Sequence, residues 1–196
     1  MLKVGITGGI GSGKSMVCRI LESMGYPVFY SDDAARELSD SDPVIRKQLT
    51  KIFGKEVYTD SGLNRPFLAA QIFADETLRQ QVNNIIHPRV REAYTEFVQN
   101  QDSALVFNEA AILIETGAYK NFDAIVLVTA PTEVRIERVR NRDKASREAV
   151  KQRIEKQWSD DQKVPYASHV IVNDGEQPLL SQIEKMIDHL TSSQGS

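Results

Sequence analysis

A glycine-rich run near the start of the chain ends in a lysine followed by a serine, a combination suited to phosphate binding. Glycines allow the backbone to fold into a nest whose N–H groups face phosphate oxygens. The lysine supplies a mobile positive charge to the β- and γ-phosphates, and the serine hydroxyl can ligate Mg²⁺. The run is a complete G-x-x-x-x-G-K-S pattern and predicts a nucleoside triphosphate site, which we call the phosphate loop. Its residues are Gly8, Gly9, Ile10, Gly11, Ser12, Gly13, Lys14 and Ser15.

Two consecutive aspartates, Asp32 and Asp33, follow the second predicted strand. Ligands of open α/β sheets bind at the carboxyl ends of the strands, where the phosphate loop also begins. A carboxylate there can accept the proton of an acceptor hydroxyl and orient that hydroxyl for in-line attack on the terminal phosphate. The alternative is that the aspartates cap the helix that begins near Ala34. With two in a row, one can cap and the other can act.

Three arginines, Arg135, Arg138 and Arg142, are spaced i, i+3 and i+7 and therefore share one face of a predicted helix. Guanidinium groups on one stripe can neutralise the charge that develops on a phosphoryl group during its transfer. Residues 133–163 contain ten lysines or arginines against seven acidic residues. We predict that the segment of about 138–163 forms a basic lid. The alternative is a solvated helix whose arginines pair with acids such as Glu137.

Five short runs rich in Val, Ile and Phe predict strands buried on both faces: residues 4–6, 27–30, 104–107, 124–128 and 169–172. Helical patterns lie between them, and this alternation predicts an α/β fold with a mostly parallel sheet covered on both faces. The first helix follows the phosphate loop and is expected to stop at Gly25. Cys18 lies off the apolar stripe of this helix, and we expect it to be structural rather than reactive.

The stretch between the second and third predicted strands, residues 31–103, is far longer than one crossover helix requires. We interpret about 34–100 as a helical insertion on the sheet rather than an independent domain. The nucleotide-binding core is then about 1–33, 101–137 and 165–190 of one domain that spans 1–196. Because the insertion begins after the second strand, we expect it beside the sheet edge where ligands bind. A polar tail, residues 191–196, is expected to fray.

The composition limits the class of protein and its partners. With 41% hydrophobic and 26% charged residues, the 196-residue chain matches globular averages. A net charge of −3 argues against a general nucleic-acid-binding surface, and the apolar runs are too short to span a membrane. The single cysteine excludes an internal disulfide and a cysteine-based zinc cluster. A strand begins at the N-terminus, so we expect no targeting peptide. A lone cysteine fits a reducing compartment, so we expect a cytoplasmic location. No exposed apolar heptad demands a partner, so we expect a monomer or weak homo-oligomer.

Taken together, these motifs make the chain resemble the dephospho-coenzyme A kinase family over residues 4–173. The resemblance rests on the runs I-T-G-G-I-G-S-G-K-S, M-G-Y-P-V-F-Y-S-D-D-A-A-R, G-L-N-R-P-F-L, I-I-H-P-R-V, E-A-A-I-L-I-E-T-G and V-I-V-N-D-G. It implies a P-loop nucleotide-kinase-like fold with a five-stranded parallel sheet in the order 2-3-1-4-5. It also implies transfer of the γ-phosphate of ATP, with Mg²⁺, to the ribose 3′-hydroxyl of dephospho-coenzyme A. The alternatives are a kinase for another small acceptor, such as a nucleoside monophosphate, and a nucleotide-switched binding protein.

The resemblance implies roles for residues near the nucleotide. The family's catalytic carboxylate corresponds to Asp32, with Asp33 as the fallback, although Tyr30 replaces the first aspartate of the usual D-A-D pattern. Arg153 and Gln157 continue the family's lid pattern. The implied catalytic residues are Asp32, Lys14 and Arg138. The implied nucleotide contacts outside the phosphate loop are Met16, Arg142 and Asn173.

It also implies residues that hold the metal and the acceptor. The hydroxyl of Ser15 would ligate Mg²⁺, and Glu109, which replaces an aspartate of the family, would reach it through water. Arg65 stands at a recurrent arginine of the family; the alternative is a structural salt bridge. His87 precedes Pro88, and that pair by itself predicts a helix stop, because a residue before proline avoids the α region. The implied acceptor contacts are Asp33, Arg65 and His87.

Overall fold

The structure, a computed structural model, describes residues 1–73 and 75–192, and within them one five-stranded sheet is present. Its strands are β1 (Leu2–Thr7), β2 (Val28–Tyr30), β3 (Leu105–Glu109), β4 (Ala124–Thr129) and β5 (His169–Val172). They lie in the order β2-β3-β1-β4-β5. The predicted α/β class, the five strands and the order 2-3-1-4-5 are therefore confirmed.

The centre of the sheet is β1, which pairs in parallel with β3 and with β4. Ile6 of β1 lies opposite Glu109 of β3 on one side and Val126 of β4 on the other. Every residue of β3 is buried, as expected for a parallel strand covered on both faces. The chain leaves β1 towards the β2 edge and leaves β4 towards the β5 edge. The carboxyl ends of β1 and β4 are therefore a topological switch point, where open α/β sheets bind ligands.

Nine α-helices lie within the described residues, together with a two-stranded hairpin of Tyr58–Thr59 and Gly62–Leu63. The helices are α1 (Lys14–Ser23), α2 (Ser31–Ser41), α3 (Pro43–Phe53), α4 (Arg65–Ile72), α5 (Glu76–Gln99), α6 (Thr132–Asp143), α7 (Arg147–Glu155), α8 (Asp160–Lys163) and α9 (Leu179–Ser192). The predicted polar tail lies outside the described residues from position 193 onward.

By its contacts the chain divides into two compact units. The first, which we call the sheet unit, consists of residues 1–29 and the chain from Gln101 onward. Its α1 ends at Ser23 and is followed by Gly25 at φ 88°, which confirms the predicted stop. Cys18 of this helix is fully buried rather than facing away from the core. Burial raises the pKa of its thiol to about 12, so Cys18 is structural, as expected, for a different reason.

The second unit, Tyr30–Asn100, which we call the helical unit, has its own hydrophobic core. The side chains that fill it are Ile45, Leu49, Val57, Leu68 and Val82. Asp42 starts α3 by accepting hydrogen bonds from the backbone N–H groups of Val44 and Ile45, with a proline in the first turn. The predicted assignment of core, insertion and lid within one domain stays a prediction.

Helix α5 runs through His87 and Pro88 without interruption, so the helix stop predicted there is wrong. An interior proline costs about 3 kcal/mol because it removes one backbone hydrogen bond and its ring clashes with the carbonyl four residues earlier. Packing on both sides of the proline offsets this cost. On the N-terminal side, Ile85 packs against the core of the helical unit. On the C-terminal side, Arg89 donates to the buried carboxylate of Asp42 at 2.8 Å.

Among the helices of the described residues, none combines the length and the apolar character needed to cross a membrane.

Candidate active site

The phosphate loop connects β1 to α1 in the sheet unit, and its geometry requires glycine. Gly13 precedes the first residue of α1 with φ 95°, a left-handed conformation that side chains rarely adopt. A Cβ at this position would also collide with the side-chain amide of Asn173. The glycine therefore permits both the turn into the helix and the close approach of Asn173.

Several backbone N–H groups of the phosphate loop remain available to a ligand. Those of Gly11, Gly13 and Ser15 have no acceptor among the residues that the structure describes. They lie at the N-terminus of α1, where the helix dipole favours an anion. The N–H of Ile10 instead donates to Oε1 of Gln157 at 2.8 Å, and that of Ser12 donates to the carbonyl of Gly9 at 3.1 Å. The expectation that the N–H groups of the run face phosphates is therefore corrected for these two.

Lys14 lies folded back on the loop beside an acidic side chain. Its Nζ donates to the carbonyl oxygen of Gly8 at 3.0 Å and lies 3.7 Å from Oε1 of Glu109. Both side chains are largely shielded from solvent, each 11% exposed. Because Coulomb interactions are weakly screened in such surroundings, an added phosphate would be attracted by Lys14 and repelled by Glu109 unless a cation intervenes.

The donor set suits a hard cation that keeps most of its other ligands. Ser15 presents an exposed hydroxyl in the first turn of α1, and Glu109 supplies a carboxylate at the end of β3. No group of three or more His, Cys, Asp or Glu side chains within the described residues could form a metal cage. Mg²⁺ typically binds through one or two protein ligands together with substrate phosphates and waters. The residues present therefore fit Mg²⁺ bound with a nucleotide.

Arg138 and Asn173 lie against the phosphate loop. Arg138 donates through Nη1 to the backbone oxygen of Asn173 at 3.0 Å and through Nη2 to its Oδ1 at 3.2 Å. Asn173, placed directly after β5, is buried and donates through Nδ2 to the carbonyl of Ser12 at 2.9 Å. Arg138, which the resemblance assigns to catalysis, and Asn173, which it assigns to the nucleotide, lie 35 positions apart and are thus brought together at the loop.

The three arginines of the predicted stripe occupy different environments. Arg135 is buried and donates through Nε to the carbonyl of Ile10 at 3.0 Å, so it contacts the loop backbone rather than presenting a free charge. Arg142 is exposed and pairs with Asp143 at 2.7 Å, and this hydrogen bond raises the pKa of Arg142. Asp143 also accepts from Arg153 at 2.8 Å. In this structure Arg142 is thus paired with its neighbour Asp143 within the segment predicted to form a lid.

Two further residues of the sheet unit have simple surroundings. Met16 is half exposed on α1. Glu115, in the loop after β3, forms an ion pair at 2.8 Å with Lys163, which is completely buried at the end of α8. A buried pair of this kind is costly to break from one side, because the remaining charge is left without a partner.

In the helical unit, Asp32 and Asp33 lie in the first turn of α2 and are both exposed. Neither is the N-cap, a position that Tyr30 occupies. Asp33 lies 3.6 Å from Arg36 in a solvent-exposed pair, which is worth little. The side chain of Asp32 forms no hydrogen bond or ion pair with any other described residue.

Arg65 and His87 also belong to the helical unit. Arg65 donates to both carboxylate oxygens of Asp40, at 3.1 and 2.8 Å, and to the carbonyl of Arg36 at 3.0 Å. The hydrogen bond from Arg65 holds the pKa of Asp40 below its usual value. Desolvation, with a smaller contribution from Arg91, lowers the pKa of the half-buried His87, so its imidazole is neutral at pH 7.

Two contacts of the phosphate loop were not anticipated from the sequence. Gln157, 147 positions along the chain from Ile10, accepts a hydrogen bond from the N–H of Ile10. Arg135, 125 positions from Ile10, donates to the carbonyl of Ile10. The lid pattern includes Gln157 but gives no indication of its partner, because residue spacing reports only local neighbours. Asp160, which lies 3.7 Å from Arg135, was not singled out at all.

Comparisons with known proteins are consistent with this geometry. The family model described as dephospho-CoA kinase matches residues 2–178. A dephospho-CoA kinase of Bacteroides fragilis is 48% identical over 190 residues, which cover 96% of this chain and 93% of that protein. A solved structure from Thermus thermophilus has a TM-score of 0.85 at 31% identity and covers 100% of this chain and 98% of its own. A dephospho-CoA kinase from Campylobacter jejuni has a TM-score of 0.69 at 24% identity, with 98% of each chain covered, and shares the fold.

Proposed function

The chain belongs to the dephospho-CoA kinase family, and we propose that it transfers the γ-phosphate of ATP to the ribose 3′-hydroxyl of dephospho-coenzyme A. The products are coenzyme A and ADP, so the reaction is the final step of coenzyme A synthesis. In this step the bond from the 3′-oxygen to the γ-phosphorus forms while the bond from that phosphorus to the ADP oxygen breaks. ADP leaves with the electron pair, and the hydroxyl proton goes to a base.

One observation carries the nucleotide half of this proposal. The N–H groups of Gly11, Gly13 and Ser15, which have no acceptor in residues 1–73 and 75–192, lie beside Lys14 at the start of α1. Such a set of preorganised donors needs no rearrangement when it binds phosphate oxygens. In the proposal these groups and Lys14 hold the phosphates of ATP. Arg138 and Arg142 add positive charge, and Asn173 with Met16 complete the contacts to the nucleotide.

Mg²⁺ is proposed as the metal, held by the hydroxyl of Ser15 and through water by Glu109. When bound, it neutralises negative charge on the β- and γ-phosphates. The position of Glu109, 3.7 Å from Lys14, supports this assignment. A carboxylate beside the phosphate site would repel the nucleotide unless a cation bound between them.

Asp32 is proposed as the base that accepts the proton of the 3′-hydroxyl. Support comes from its exposure, from its lack of a partner in the described part of the chain, and from its place in the first turn of α2, where the helix dipole stabilises a carboxylate. Asp33 is the weaker candidate for this role because it already lies near Arg36. Asp33 is instead assigned to acceptor binding in the helical unit.

The helical unit is proposed to bind the acceptor. Arg65 would contact an acceptor phosphate, although two of its donors already serve Asp40. His87 would act as a neutral hydrogen-bonding group, because its pKa is lowered by desolvation. For the protein as a whole we propose a cytoplasmic monomer or weak homo-oligomer without nucleic-acid or membrane partners, supported by the net charge of −3 and the single cysteine.

A coupled assay of ADP release tests the function. Dephospho-coenzyme A should accelerate ADP formation from ATP strongly, whereas AMP, CMP and UMP should leave it near the rate measured without acceptor. If a nucleoside monophosphate accelerates ADP release instead, that nucleotide and not dephospho-coenzyme A is the acceptor. Slow hydrolysis that no acceptor changes would instead favour a nucleotide-switched binding protein.

A further inference from the structure

Both polar backbone groups of Ile10, in the phosphate loop, are engaged by distant side chains. Its N–H donates to Oε1 of Gln157 at 2.8 Å, and its carbonyl accepts from Nε of Arg135 at 3.0 Å. The Ile10 side chain packs against the small core formed by α6 and α7, which contains Val139 and Val150. Ile10 is therefore fixed through its N–H, its carbonyl and its side chain.

We propose that Gln157 and Arg135 are positioning residues that aim the backbone donors of the phosphate loop at the nucleotide phosphates. This inference rests on the proposed nucleotide site but does not depend on which acceptor is used. It differs from the role that the sequence suggested for Arg135, since the guanidinium acts through the loop backbone and not on the phosphoryl group.

The geometry of the peptide bond carries the argument. In a trans peptide the carbonyl and the following N–H point in opposite directions. When Arg135 holds the carbonyl of Ile10, it turns the N–H of Gly11 away from itself. Asn173 holds the carbonyl of Ser12 at 2.9 Å and so orients the N–H of Gly13 in the same manner. These two N–H groups have no acceptor among the described residues.

Gln157 completes the arrangement on the preceding peptide. By accepting the Ile10 N–H, it directs the carbonyl of Gly9 away from itself, and that carbonyl accepts from the N–H of Ser12 at 3.1 Å. The tight turn of the loop is therefore closed by its own backbone and held from outside by Gln157. Loss of this one acceptor would free the peptide to rotate and would leave the Ile10 N–H unpaired.

The arginine is itself held in place. Arg135 is only 5% exposed, and Asp160 at the start of α8 lies 3.7 Å from its Nη1. Contact with the loop is close, because a Cβ on Gly9 would collide with the Arg135 guanidinium. Gln157 precedes α8 by only a few residues. The short stretch from Gln157 to Asp160 thus supplies Gln157, which acts on the loop, and Asp160, which supports Arg135.

Calorimetric titration with ADP and Mg²⁺ in the absence of acceptor tests the proposal. Gln157→Leu should weaken ADP binding about fivefold to tenfold, the effect of losing about one oriented hydrogen bond. The control is Gln152→Leu, the same change at an exposed position of α7, which should stay within about twofold of the wild type. In steady-state assays the KM for ATP should rise by the same factor with kcat nearly unchanged, because the backbone N–H groups that Gln157 positions bind the nucleotide alike in the ground state and the transition state.

Amide hydrogen exchange supplies a readout that is independent of activity. The Ile10 N–H should exchange faster in Gln157→Leu than in the control, while exchange in the β1 strand stays unchanged. Equal ADP affinities for the two variants would overturn the proposal. If Gln157→Leu does not fold, Gln157→Asn, which shortens the same amide side chain by one methylene, is judged by the same criteria. Since no acceptor is present, an error in the assigned acceptor would leave this result intact.

Discussion

The phosphate loop of the sheet unit and Asp32, the proposed base in the helical unit, differ in how firmly the protein holds them. Around the loop, the carbonyls of Ile10 and Ser12 accept hydrogen bonds from Arg135 and Asn173, and the loop is packed so closely that added Cβ atoms would collide. By contrast, Asp32 is exposed and its side chain has no described partner.

This difference matches the demands of the two tasks. Nucleotide phosphates are recognised by fixed backbone donors, which gain their strength from being oriented before the ligand arrives. A base that accepts a proton from a bound hydroxyl needs an unpaired carboxylate, and an internal ion pair would compete with that role. The contrast predicts that substitutions at the loop damage nucleotide binding and local stability together. Substitution of Asp32 should leave both intact.

The largest expected effect is that of Lys14→Ala. Removal of the ammonium leaves Glu109 uncompensated beside the phosphates, and we expect kcat to fall by about 1,000-fold. The control is Lys151→Ala on the exposed surface of α7, which should behave as the wild type. Retained turnover in Lys14→Ala, with circular dichroism unchanged, would contradict the assignment of the loop.

Gly13→Ala sharpens the comparison through a matched pair of glycines. Gly13 and Gly25 have similar positive φ angles, 95° and 88°, but a Cβ at Gly25 meets no atom within 4 Å. Gly25→Ala should cost only the left-handed strain, about 1–2 kcal/mol of unfolding free energy. Gly13→Ala adds the collision with Asn173, so it should unfold more easily in urea and lose detectable ADP binding. Similar behaviour of the two variants would show that the loop is not closely packed.

Arg65→Gln should have the smallest effect on the free energy of unfolding. Comparing its stability with its kinetics distinguishes a structural role of Arg65 from a substrate-binding role. Because Arg65 lowers the pKa of Asp40, its contribution to stability is present above the unfolded-state pKa of about 3.9 and is lost as the pH falls through the folded-state value. For a partly exposed pair we expect at most about 1 kcal/mol at pH 7. The difference between variant and wild type in urea unfolding should therefore shrink below pH 4.

Kinetics of the same variant complete this test. A rise in the KM for dephospho-coenzyme A, measured where the variant is still fully folded, would support acceptor binding by Arg65. An unchanged KM would leave Arg65 a purely structural role, through its contacts with Asp40 and with the carbonyl of Arg36.

Local features of the fold and site were predictable from the sequence, whereas long-range contacts were not. The phosphate loop and the helix after it were predictable because their pattern spans only a few residues. The buried strands were predictable from short apolar runs. The order of the strands followed from family resemblance. The local rule at Pro88 failed because tertiary packing on both sides of it holds α5 together. The partners of Ile10 lie more than 100 positions away, a distance that no residue pattern encodes.

The central claim is that a preformed phosphate cradle works with an unpaired carboxylate, Asp32, and a rapid-quench measurement tests it most directly. Asp32→Asn and Asp33→Asn would each be mixed with saturating ATP, Mg²⁺ and dephospho-coenzyme A, and the 3′-phosphorylated product followed over one turnover. We predict a rate about 100-fold to 1,000-fold slower for Asp32→Asn, with ADP affinity unchanged and with Asp33→Asn close to the wild type. A wild-type rate in Asp32→Asn would contradict the account.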